Sequence, residues 1–241
     1  MAGDWSVILT PNRAVPRTWL GDLHGADVLC LASGGGQQVP VLAAAGARVV
    51  SFDLSEVQVA KDREVAERHA LPVRCVCGDM ANLAALPSEC FDLIFHPVSN
   101  VFVPDVLPVW RECHRVLRPG GRLLAGFMNP SFFMFDHEAA ERDGTLIAKF
   151  ALPYRDPESI SGEALRRWQE RKVPAEFSHS LETQIGGQTR AGFAIEDLYE
   201  DNWSDEATPL NRFSPTYIAT LAIKAKDAPT PTANAYLRES R

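Results

Sequence analysis

The chain has 241 residues, 46% of them hydrophobic, and a net charge of −7. That length holds one substantial core, or one domain carrying a sizeable insertion, and the negative balance repels a nucleic-acid backbone unless a local basic patch offsets it. The nearest patch, Arg166, Arg167, Arg171 and Lys172, is broken by Trp168 and Glu170 and reads as the solvated face of a helix, so no nucleic-acid partner is expected.

Met1 to Thr10 has neither a basic n-region nor an apolar h-region, and no run approaches the ~18 apolar residues of a membrane span. With five cysteines, an odd count, the expectation is a cytoplasmic protein with reduced thiols and no membrane partner. Cys75-Val-Cys77 would point its two thiols to opposite faces of a strand, and no second pair stands at finger spacing, so no metal is expected.

Asp27-Val-Leu-Cys-Leu-Ala32 is a continuous apolar run ending at glycines, the pattern of a strand buried on both faces. Gln38 to Ala45 are helix formers, with Pro40 tolerated in a first turn and Gly46 at the stop. Arg48 to Asp53 is again strand-like, and Ser55 with Gln58 forms a capping box opening a helix to about His69. Pro72 to Cys77 and Phe91 to Phe95 read as third and fourth strands, ending at Gly78-Asp79 and His96-Pro97. From Asp105 to Leu117, apolar residues at 106, 109, 110, 113, 116 and 117 mark a helix with one buried face. Arg118-Pro-Gly-Gly121 stops it before a fifth strand, Arg122 to Phe127.

Five strands alternating with helices demand right-handed crossovers and a doubly wound α/β fold. Beyond Pro130 the rhythm fails, and residues 130–178, rich in Phe, Trp, Pro and charge, read as an insertion over the sheet edge. A helix at about Leu181 to Ala191 and strands at Ala194 to Glu200 and Thr216 to Ile223 complete a mostly parallel, seven-stranded sheet. The domain map is then an N-terminal cap (1–25), a core (26–129), the insertion (130–178), the rest of the core sheet (179–224) and a tail (225–241) expected to be disordered.

In an open parallel sheet, ligands bind beyond the carboxyl ends of the strands. Gly34-Gly35-Gly36, Asp53, Asp79 and His96 all stand there, so four strand ends converge on one crevice. The glycines are followed by Gln37-Gln38-Val39, so the third glycine of a dinucleotide-binding G-x-G-x-x-G is missing. Asp53 can take two ribose hydroxyls and Asp79 an adenine amino group, with Met80 against the ring. The set fits an adenosyl ligand without a pyrophosphate.

Leu31-Ala-Ser-Gly-Gly-Gly36, Phe52-Asp-Leu-Ser55, Gly78-Asp-Met80, Phe91-Asp-Leu-Ile94 and Arg115-Val-Leu-Arg-Pro-Gly-Gly121 stand in an order that resembles the class I S-adenosylmethionine-dependent methyltransferases. The branch they are most similar to is methyltransferase type 11, related to ubiquinone and menaquinone biosynthesis enzymes. The resemblance implies a Rossmann-like methyltransferase fold, S-adenosyl-L-methionine as cofactor, S-adenosyl-L-homocysteine as product, and in-line transfer to an O, N or C nucleophile. It places Ala32, Ser33, Gly34, Gly36 and Gln38 near the methionine moiety and Asp53 on the ribose. Leu54 and Met80 would flank the adenine, Asp79 would read its amino group, and His96 would touch cofactor and substrate. The chain departs from the family at Cys30, where an acid is usual, and at Ala32, where glycine is usual; Ser33, Gln37 or Gln38 are the candidates to compensate.

His96 is open to two roles, general base or structural hydrogen-bonding partner of Asn100. Asn100, Phe102, Phe132 and Phe135 are the candidate substrate lining. The aromatic insertion reads equally as a lid that excludes water or as a small satellite core, and Trp5 and Trp19 belong to a segment that could close the same mouth. The expected partner is a small-molecule methyl acceptor, and the chain could be a monomer or homodimer. Two rivals are an S-adenosylmethionine binder without transfer activity, motivated by Cys30, and a nicotinamide-dependent oxidoreductase, which the missing glycine disfavours.

Overall fold

In the computed structural model, which describes residues 5–171, 173–204 and 206–226, Val28 to Leu31 are fully buried because their strand lies between two layers. That strand, β1 (Asp27–Leu31), pairs in parallel with β2 (Arg48–Asp53) on one side and β4 (Phe91–His96) on the other. The seven-stranded sheet continues outward through β3 (Val73–Cys77) beside β2, and through β5 (Leu117–Met128), β7 (Tyr217–Lys224) and β6 (Phe193–Asp201) beyond β4. β7 runs antiparallel to both its neighbours; the other pairs are parallel.

Side chains alternate across β1 and feed two cores. Val28 and Cys30 pack with Trp19 and Leu20 of α1 (Arg17–Leu20) and with Val39 and Leu42 of α2 (Gln38–Ala44). Leu29 and Leu31 pack on the other face with Val109 and Trp110 of α4 (Leu107–Val116). α3 (Glu56–Arg68) starts where Ser55 accepts a hydrogen bond from the Gln58 amide at 3.4 Å, and it buries Val59, Asp62 and Ala66, three positions at helical spacing that include a carboxylate. Because β1 to β3 step one way from the centre and β4 and β5 the other, the sheet order switches between β1 and β4, which opens a crevice at their carboxyl ends.

Two elements differ from the sequence reading. β5 begins at Leu117, directly after α4: Leu117 pairs with Phe91, and an irregularity that includes Gly120 at φ +81° precedes the pairing of Arg122 with Leu93. The helix read at about Leu181 to Ala191 forms as a π-helical stretch, Glu182–Gly186, followed by the short α7 (Gly187–Arg190). There Gly187 lets the chain run against α4, since a Cβ would lie 2.8 Å from Trp110 Cδ1.

The N-terminal segment crosses the carboxyl end of the sheet. Val7 and Leu9 are buried, the Leu9 carbonyl accepts from the Val98 amide at 3.2 Å, and Asp201 Oδ2 accepts from Thr10, Asn12 and Arg13 at 2.7 to 2.9 Å. In the insertion, α5 (His137–Asp143) and α6 (Gly162–Arg171) flank a cluster in which Phe133 stacks on Tyr154 at 5.5 Å and Phe132 on His137 at 3.9 Å. The tail from residue 227 on lies outside the described residues.

Candidate active site

The glycine turn after β1 is held from behind by α3. The Gly35 amide donates to Gln58 Oε1 at 2.9 Å, and the Gly36 amide to Asp62 Oδ1 at 2.6 Å. Asp62 Oδ2 also accepts from the Ser51 hydroxyl at 2.5 Å. Burial pushes the Asp62 carboxyl above its usual range, against the pull of these two donors. Gln58 and Asp62 are one helical turn apart, so one face of α3 serves both amides. Asp62 is off the cavity wall, with its oxygens engaged by Gly36 and Ser51, and Gln38 Oε1 is engaged by the Ile8 amide at 3.1 Å. Cys30 itself is fully buried, and burial, with Asp62 nearby, pushes its thiol far up, so it packs as a small hydrophobe.

On the front of the turn, Gly34 stands at φ +64° and a Cβ there would meet nothing within 4 Å. Ala32 takes the same left-handed region at φ +48°, a conformation costly for a residue with a Cβ, while its amide donates to the Phe52 carbonyl at 2.8 Å. The Asp53 and Asp79 carboxylates are each oriented by one oxygen, which accepts from the amide two residues on, Ser55 at 2.9 Å and Ala81 at 2.8 Å. Their second oxygens have no hydrogen-bond partner among the described residues.

These groups line one part of a cavity of about 930 Å³. Ala32, Ser33, Gly34, Gln38, Asp53, Leu54, Asp79 and Met80 are brought together there, and Gln37, Ser55 and Gln58 join them. Gly36 faces away, toward Asp62. The rest of the wall comes from the N-terminal segment, from Pro97 to Val103 after β4, from Pro174, Ala175 and Phe177, and from Tyr217 at the start of β7. The 174–177 strap is tied to the β4 loop by a bond from the Phe177 amide to the Val101 carbonyl, 2.8 Å long. Unoccupied oxygens on two strand ends and open space before a left-handed turn fit an adenosyl ligand.

Several candidate residues stand elsewhere. His96 is fully buried and off the cavity wall. Its Nδ1 lies 3.0 Å from the Leu31 carbonyl and its Nε2 2.8 Å from Asn100 Oδ1, while Asn100 Nδ2 donates to Gln184 Oε1 at 2.9 Å. Burial lowers the His96 pKa and so favours the neutral ring, against the opposing pull of the Leu31 and Asn100 oxygens. The arrangement joins His96 to Asn100, which is also fully buried and off the cavity wall. Phe102 lines the cavity, half exposed at 49%. Phe132 and Phe135 do not: Phe132 is stacked on His137 and packed near Trp203, and Phe135 faces a second hollow inside the insertion. That part of the insertion is the satellite core, while only the 174–177 strap reaches the cavity.

The sequence reading missed Asp62 and Tyr217, whereas Phe177 belongs to the aromatic insertion it read as lid or satellite core. Asp62 was signalled by a charged residue on the face shared with Val59 and Ala66; Tyr217 reaches the cavity only through tertiary packing. Among the described residues no group of three or more His, Cys, Asp or Glu side chains could hold a metal, and no helix is long and apolar enough to cross a membrane.

A methyltransferase domain model matches residues 29–125. The chain is 47% identical over 222 residues to the uncharacterized methyltransferase YbaJ of Bacillus subtilis, covering 92% of this chain and 86% of that one. It is 31% identical over 137 residues to the ubiquinone biosynthesis O-methyltransferase of Xanthomonas oryzae pv. oryzae, where the match spans 56% of this chain and 57% of the relative. In structure it is similar to an S-adenosylmethionine dependent methyltransferase from Mesorhizobium loti, with a TM-score of 0.61 at 22% identity over 86% of this chain and 94% of that one. The fold is therefore that of the S-adenosylmethionine-dependent methyltransferases, and the chain belongs to the methyltransferase family.

Proposed function

We propose that this chain methylates a small-molecule acceptor held in the same cavity as its cofactor, S-adenosylmethionine. The observation that carries the reading is the division of that cavity. Polar groups from β1, β2 and β3 gather on one side, and an apolar wall from the β4 loop, the strap and Tyr217 closes the other. Its volume, about 930 Å³, lies at the upper end of the roughly 300–1,000 Å³ usual for a single small-ligand site, which suits two ligands side by side.

In this reading the Ser33 to Gly34 backbone lies along the methionine moiety, with Gln37 and Gln38 beside it. Asp53 accepts from the ribose hydroxyls, Asp79 accepts from the adenine amino group, and Leu54 and Met80 cover the ring. The bound sulfonium supplies an electrophilic methyl group, which a nucleophilic O, N or C of the acceptor takes by in-line displacement, leaving S-adenosylhomocysteine. The chain's own task is to align the two ligands and exclude water. Buried His96, off the cavity wall, sets the β4 loop through Leu31 and Asn100 and takes no proton from the acceptor.

The test combines calorimetry with S-adenosylhomocysteine and a radiolabelled methyl-transfer screen against small-molecule extracts. Binding together with label transferred to a small-molecule fraction is expected; binding without transfer to any fraction would reduce the chain to a cofactor binder.

A further inference from the structure

The half of the cavity away from Asp53 and Asp79 is uncharged. Its wall is built from Val98, Phe102, Val103, Ala175 and Phe177 with Tyr217, and among the described residues lining the whole cavity the only charged side chains are Asp53 and Asp79. Its polar side chains are mostly engaged within the chain. Thr10 donates to Asp201 at 2.7 Å, and Ser99 donates to the Pro97 carbonyl at 3.0 Å.

Tyr217 is different. It is 4% exposed, its ring stands 5.7 Å from that of Trp203, and it packs with Val101, Met128 and Phe133. Its hydroxyl makes no hydrogen bond to any described residue, and Tyr217 lines the cavity. A buried hydroxyl left without a partner is costly.

We infer that this half of the cavity takes an uncharged, largely apolar acceptor carrying at least one hydrogen-bonding oxygen or nitrogen, and that the Tyr217 hydroxyl is the specificity-determining group that binds it. The inference rests on the assignment of the other half to the methyl donor. A carboxylate or phosphate entering here would shed its hydration with no cation to replace it. A neutral ring or chain would shed only apolar hydration, which is favourable. Burial, with Glu176 and Asp201 nearby, pushes the Tyr217 phenol up, so it stays protonated and can donate.

Calorimetry on the full chain tests this, with 1-naphthol, 1-naphthoate and 1-fluoronaphthalene as probes. S-adenosylhomocysteine is titrated first: no binding overturns the cofactor assignment itself. On protein saturated with it, 1-naphthol is expected to bind, and 1-naphthoate at least about tenfold more weakly. Tyr217→Phe, which keeps the ring and its packing, should weaken 1-naphthol about 3- to 10-fold, the loss of one hydrogen bond, and leave 1-fluoronaphthalene unchanged. Four outcomes overturn the inference while sparing the cofactor assignment: 1-naphthoate binding as tightly as 1-naphthol, an unaltered 1-naphthol affinity in Tyr217→Phe, competition between 1-naphthol and S-adenosylhomocysteine, or no probe binding at all.

Discussion

At the scale of single residues, the site is set by side chains whose second valence is left open. Asp53 spends one oxygen on the Ser55 amide and offers the other, so Asp53→Ala should weaken S-adenosylhomocysteine binding by about 1 to 3 kcal/mol, the order of a charge-assisted pair of hydrogen bonds. Calorimetry reads this directly, and an unchanged affinity would put the ribose contact elsewhere. Ala32 illustrates the reverse situation, a side chain where none is wanted. At φ +48° its Cβ costs about 1 to 2 kcal/mol, and glycine would return about 0.5 to 1 kcal/mol of that as unfolded-state entropy. Ala32→Gly should therefore leave stability unchanged or raise it by up to about 1.5 kcal/mol in urea unfolding.

At the scale of elements, α3 acts as a brace for the glycine turn. Its Gln58 and Asp62 satisfy two amides that a tight turn cannot pair internally, and Asp62 also ties the turn to Ser51 in β2. Asp62→Ala strands the Gly36 amide and the Ser51 hydroxyl in a buried place. The expected cost is about 2 to 4 kcal/mol of unfolding free energy, together with weaker cofactor binding. Asp62→Asn keeps one acceptor oxygen and should lose less of both. Equal losses in the two variants would mean that charge, rather than acceptance from Gly36, is what the turn requires. The strap at 174–177 and the N-terminal segment play the matching role over the cavity, each fixed to the β4 loop by one backbone bond.

At the scale of the whole molecule, buried histidines give the fold a pH dependence of definite sign. Burial lowers the pKa of both His96 and His179, and His179 Nε2 lies within hydrogen-bond distance of the Asn100 and Val103 carbonyls, at 2.9 and 3.0 Å. A depressed histidine binds fewer protons folded than unfolded, so its contribution to stability is present above the unfolded value near 6.5 and is lost as pH falls below it. Each can add at most about 1.4 kcal/mol per pH unit to the slope. Urea unfolding at pH 7.5, 6.5 and 5.5 should show falling stability across the last interval, and His96→Gln should flatten part of that fall. A flat wild-type profile would contradict the lowered pKa of these histidines.

The alternation of apolar runs with glycine, aspartate and capping signals determined, by itself, the element order, the doubly wound sheet and the polar half of the cavity. Those features are local: a strand buried on both faces must be a continuous apolar run, and the ligand groups of this fold sit one or two residues past each strand end. Only the tertiary structure decided the rest. That α3 braces the glycine turn through Asp62 depends on how a helix face meets a turn 26 residues earlier. That His96 turns into the protein, and that Phe132 packs on His137 and Phe135 lines a hollow within the insertion while Phe177 and Tyr217 reach the cavity, depends on which side chains find partners when the insertion folds back on the sheet. No periodicity encodes that choice, because these aromatic side chains bury apolar surface almost equally well in either place, and only the geometry of the assembled fold separates the two.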